Sequence, residues 1–126
     1  MKNVVSFETA KALREAGFPQ ANPTQGQFWY DDKKRMFVIC AVNKKSVDGM
    51  WIGRGTAFKS QMSDADIFAP TATDIMKELG RHFSMSIDYI GWIVRHHDLS
   101  EHGVGRHVHE NPAEACALAW LEKNKK

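Results

Sequence analysis

"PTATDIMKELGRHFSMSIDYIGWIVRH", residues 70–96, places two rhythms side by side. In its first part Ile75, Met76 and Leu79 recur at the spacing of one helix face. Thr71 and Asp74 stand at capping-box spacing, with Asp where Glu is usual, and Gly80 supplies a stop. From Phe83 the period changes to two. Phe83, Met85 and Ile87 alternate with Ser84, Ser86 and Asp88, the pattern of a half-buried strand. "GWIVRH" (91–96) resumes after a turn near Ile90 and Gly91, giving either a second strand or the far half of one bent strand.

The same mixture extends outward in both directions. "SFETAKALREAG" (6–17) predicts a short helix: Ser6 caps it, Glu8 favours the first turn, and Ala10, Leu13 and Ala16 form its apolar stripe. Gly17 stops this helix, Phe18 folds back onto its end, and Pro19 forbids continuation. "QFWYD" (27–31) and "RMFVICAV" (35–42) flank the polar "DDKK" and predict a hairpin; the second strand is apolar enough to lie in the sheet centre. "MWIGRGTAF" (50–58) predicts a third strand bent at Gly53 and Gly55, whereas "SQMSDAD" (60–66) predicts a loop. After Asn111 as cap and Pro112 at the first helical position, Ala113, Cys116, Ala117, Trp120 and Leu121 make a core-facing helical stripe. Helices and hairpin-type strands in mixed order predict an α+β fold. Its expected form is one small antiparallel or mixed sheet of about four to five strands packed with three helices.

Length and composition bound the function. At 126 residues the chain is read as a single domain, 1–126, large enough to bury a core without staples. With 17 basic and 15 acidic side chains, the charge balance gives no support for a nucleic-acid partner. Cys40 and Cys116 sit in apolar runs and read as small buried hydrophobes. No secretory leader pattern opens the chain, and no apolar run approaches the ~18 residues of a membrane span. The expectation is a cytoplasmic protein with reduced thiols and no membrane partner.

Three segments taken together carry a resemblance. "LREAGFPQ" (13–20), "FAPTATDIMKEL" (68–79) and "NPAEACALAWLEKN" (111–124) resemble, in this order, small uncharacterised phage- and prophage-encoded proteins of α/β-sandwich type. The similarity covers about half the chain. It implies a phage-related origin and a sandwich-like fold, and it supplies no activity.

The most concentrated chemical signal is "HHDLSEHGVGRHVH" (96–109), which holds five of the six histidines. His107 and His109 would point the same way on a strand, and with His102 they are the candidate ligands of a metal, zinc being the ion that suits them. Against this stand Gly103, Gly105 and the lack of a standard ligand motif, so a solvated loop is preferred and no cofactor is expected. Five imidazoles close together also offer a proton-linked change. Trp51 and Arg54 beside two glycines, with His97, are candidates for stacking on a ligand ring and meeting a phosphate. No nucleophile elbow, Walker loop or dinucleotide fingerprint occurs, and no catalytic residue is assigned. The leading expectation is therefore a phage- or prophage-derived accessory protein. It would bind a macromolecule or associate with itself, and open sheet edges make a homodimer the natural case. The alternative is a nucleotide-sequestering small-ligand binder, and a metal-dependent enzyme ranks third.

Overall fold

The structure is a computed structural model that describes residues 4–21, 26–43, 50–55, 65–96 and 106–124, with backbone alone for 40–43 and 50–55. Its elements run α1 (Phe7–Glu15), β1 (Phe28–Tyr30), β2 (Met36–Asn43), β3 (Met50–Gly55) and β4 (Ile67–Ala69). They continue through α2 (Ala72–Leu79), β5 (Phe83–Asp88), β6 (Gly91–His96) and β7 (Arg106–His109) to α3 (Pro112–Lys123). The α+β class and the three helices are as expected. The single sheet of four to five strands is not: among the described residues seven strands form a four-stranded sheet, β3-β2-β1-β4, and a three-stranded sheet, β5-β6-β7. All pairs are antiparallel.

Local chemistry accounts for the helix ends. Ser6 accepts from the Thr9 N–H to cap α1, and Gly17 at φ +95° ends that helix. There the Phe18 N–H reaches the Leu13 carbonyl and the Gly17 N–H that of Arg14, closing a Schellman motif that returns Phe18 to the core. In α2 both halves of the Thr71–Asp74 capping box form. Asn111 caps α3 by accepting from the Ala113 and Glu114 N–H groups.

The final helix departs from its expected role. A one-sided stripe predicts a rod lying on a sheet. Instead Ala115 and Ala119 are buried along with Ala113, Cys116, Ala117 and Trp120, while Leu121 is only half-buried and Leu118 is exposed. Alanines on nearly every side allow close approach, and α3 packs against β6, β7, α1 and α2. One core cluster joins α3 to Leu13 and Phe18, Ile75 and Leu79, Trp29, Phe37 and Phe68, and Val94. Trp120 meets Phe18 edge to face at 5.1 Å.

Polar contacts at the two ends of α3 fix that hub in place. The Glu114 carboxylate accepts from the Ser6 N–H at 2.6 Å and from the Thr9 hydroxyl at 2.7 Å, so an α3 side chain completes the cap of α1. Asn111 Nδ2 donates to the Val4 carbonyl. At the other end Lys123 Nζ donates to the carbonyl of Leu79 at the C-terminus of α2, where a cation also meets the helix dipole favourably.

Candidate functional site

The three-stranded sheet has one face on α3 and one away from it. Register places Phe83, Met85 and Ile87 of β5 beside His96, Val94 and Trp92 of β6; Val94 and Trp92 in turn stand beside His107 and His109 of β7. Val94 on this face belongs to the core, and Phe83, Met85 and Trp92 pack against it. The alternate residues Ser84, Ser86, Ile93, Arg95, Arg106 and Val108 form the other face by strand parity. Ile93 is buried there, whereas both serines, both arginines and Val108 are exposed.

Asp88 and Gly91 close the β5–β6 hairpin. The Asp88 carboxylate accepts from the Ile90 N–H at 2.8 Å, an Asx turn that holds the two tip residues. Gly91 has φ +130°, and a Cβ built there would lie 2.8 Å from the His109 carbonyl oxygen, so only glycine fits between the turn and β7. The hairpin thereby presents Tyr89 almost wholly to solvent (98% exposed), with Ile87 at 62% and Ile90 at 45%.

The candidate ligands named from sequence are distributed as follows. His107 and His109 do lie on one strand with the same parity, β7 standing where a solvated loop is expected from the sequence. They are nevertheless engaged separately: His107 Nε2 donates to Glu122 Oε2 of α3 at 2.7 Å, and His109 Nδ1 accepts from the Asn111 N–H at 2.9 Å. His97 and His102 lie outside the described residues. Trp51 and Arg54 fall on β3, with backbone partners Val42 and Val38, and their side chains lie outside the described parts. Among the described residues no three of His, Cys, Asp and Glu converge on a common point that would hold an ion. A second pair that sequence reasoning overlooked is His82 and His96, stacked with centroids 6.2 Å apart, with Phe83 edge-on to His96 at 4.8 Å. The alternation of "HFSMSID" with "GWIVRH" in a hairpin contained the signal, since Phe83 and His96 are cross-strand partners.

Other polar groups are likewise committed. Asp31 is 1% exposed; its Oδ1 accepts from the N–H groups of Lys33 and Arg35, and its Oδ2 from the Arg35 guanidinium at 2.8 Å. Burial pushes its carboxyl up, but the hydrogen bonds and charge of Arg35 and the Lys33 N–H together hold it below the usual carboxylate range. Burial raises the Cys116 thiol to about 11, which leaves it protonated and unreactive at neutral pH. A groove of about 340 Å³ runs past Gly26, Phe28, Phe68, Thr71 and Asp74, and Asp74 Oδ2 in it accepts from the Thr71 N–H and hydroxyl.

The edges of the sheets differ in how they are guarded. β4 is three residues long, and Gln20 Oε1 accepts from its Phe68 N–H at 3.0 Å; the adjoining Pro70 carbonyl takes the Val5 N–H. β7 is four residues long and carries Arg106. β5 has six residues in unbroken register, with no Lys, no Pro and no bulge. Its Phe83 N–H donates to the Gly80 carbonyl, away from β6, so antiparallel alternation turns the N–H and C=O of Met85 and Ile87 toward the open edge.

Comparison with protein-family models, curated proteins and solved structures finds no match for this chain. No helix among the described residues is long and apolar enough to cross a membrane.

Proposed function

We propose that this chain is a phage- or prophage-derived accessory protein of the host cytoplasm that acts by binding a macromolecule or by self-association, not by catalysis. Its working surface is the open three-stranded sheet. The observation that carries this reading is the β5–β6 hairpin, which combines exposed Ile87, Tyr89 and Ile90 with a six-residue backbone edge that no other strand pairs among the described residues. A tyrosine held at a rigid turn is an effective contact residue, because it offers a large amphipathic ring at small entropic cost. The commitment of the polar side chains to architecture supports the non-catalytic part: Glu114, Asp31, Asp74, His107 and His109 each hold a helix cap, a turn or a helix end.

A photo-crosslinking amino acid tests the proposal. Placed at Tyr89 in cells expressing the protein, it is expected to give discrete crosslinked species; placed at exposed Lys11 on α1, it is expected to give none. Absence of adducts at Tyr89, or the same adducts from Lys11, would contradict the reading.

A further inference from the structure

We infer that the occupant of the β5 edge is a second copy of this chain, paired antiparallel about a two-fold axis at Ser86. This rests on reading the open sheet as the working surface, and it specifies partner and register. Met85 and Ile87 turn outward backbone groups that have no partner among the described residues, so an isologous pair forms its hydrogen bonds when Met85 of one copy faces Ile87 of the other. Ser86 then faces Ser86, Ser84 faces Asp88, and the two small sheets become one of six strands. No shift of register by one residue is equivalent, because it would turn these groups away from each other.

Charge and apolar exposure agree with that register. Arg95 and Arg106 are cross-strand neighbours of like sign, both exposed, and neither has an ion pair among the described residues. Like charges directly opposite one another destabilise a sheet. In the proposed pair, Arg106, Arg95, Ser84 and Asp88 of the second copy occupy one continuous row. Asp88 of the second copy stands two strand steps from Arg95, about 10 Å between Cα atoms, a span the long arginine side chain closes. Asp88 uses Oδ1 on the Ile90 N–H, which leaves Oδ2 to receive it. On the opposite face, Ile87 comes beside Met85 of the second copy, and the hairpin tip carries Tyr89 toward Phe83. The two most exposed apolar side chains of the described structure are thus the ones the pairing covers.

Register is read by crosslinking. In a non-hydrogen-bonded antiparallel pair the Cα atoms are about 4.5 Å apart, within disulfide reach. Ser86→Cys is therefore expected to oxidise in air to a covalent dimer, against a wild-type baseline that retains Cys40 and Cys116. Ser84→Cys, whose counterpart lies four residues along the partner strand, is expected to stay unlinked. In sedimentation the wild-type chain is expected to be dimeric, and Ile87→Lys monomeric with unchanged near-UV circular dichroism. Arg95→Glu is expected to weaken the dimer at least tenfold in dissociation constant. A wild-type chain monomeric at every concentration, or Ser86→Cys linking no faster than Ser84→Cys, would overturn the pairing. If Tyr89 still crosslinks to a different protein in that event, self-pairing falls while the sheet remains a docking surface; if it crosslinks to nothing, both fall.

Discussion

His107 of β7 and Glu122 in the last turn of α3 are joined by a 2.7 Å contact, which ties the edge of the three-stranded sheet to the helix that carries it. The imidazole is largely covered and the carboxylate half-exposed, so the bond contributes modestly. His107→Ala is expected to lower stability by about 1 kcal/mol. Urea unfolding with an unchanged m-value measures it, and hydrogen exchange should show β7 amides opening sooner. A gain of stability would show that the ring is held by something else.

Gly91 sits where the hairpin presses against β7. Gly91→Ala introduces a Cβ 2.8 Å from the His109 carbonyl oxygen at a φ of +130°. The expected cost is about 1–3 kcal/mol, read as a fall in melting temperature. Gly26→Ala serves as a comparison: its φ is +92° and nothing lies within 4 Å, so only the backbone term applies and the loss is smaller.

Asp31 gives a pH dependence with a definite sign. Its folded carboxyl is held below the unfolded value, so its stabilisation is present above about pH 4 and is lost as the pH falls through the folded value. Asp31→Asn is expected to cost about 2–3 kcal/mol at neutral pH. The gap between wild type and variant should narrow in acid. A gap independent of pH would place the effect in shape alone.

Cys116 is expected to resist iodoacetamide at pH 8 in the folded protein and to react on unfolding, with the site read by peptide mass mapping. Burial raises its thiol to about 11, so the neutral form favours folding below the unfolded value near 8.5. That contribution declines as the pH rises from there toward about 11. Rapid labelling of folded protein at Cys116 would show that α3 is less enclosed than described.

Much of the fold was legible in the sequence because caps, stops and turns act locally. Ser6, Gly17, Thr71, Asp74, Asn111 and Pro112 each have a backbone reason to stand where they do, and each is found there. Strand order is not local. β4 is only "IFA" after a polar run, and β7 is "RHVH", whose alternation carries a single aliphatic residue. Both are held by partners distant in sequence, Phe28–Tyr30 and Trp92–Arg95, which no short-range pattern exposes. The burial of Ala115 and Ala119 was hidden for a related reason: alanine is compatible with any helix face, and only packing on two sides distinguishes a buried one. The histidine segment drew attention as a ligand cluster, yet the two histidines described within β7 serve α3 and its cap. The hairpin tip, spelled in the ordinary letters "IDYIG", carried no composition signal; its exposure became visible only with the sheet assembled.

Hydrogen exchange resolved to single amides, followed over a dilution series, tests the β5 interface most directly. Protection at Met85 and Ile87 should be high in concentrated protein and fall on dilution, while Ser84, Ser86 and Asp88, bonded to β6, stay protected throughout. Rapid exchange at Met85 and Ile87 at all concentrations would contradict the account.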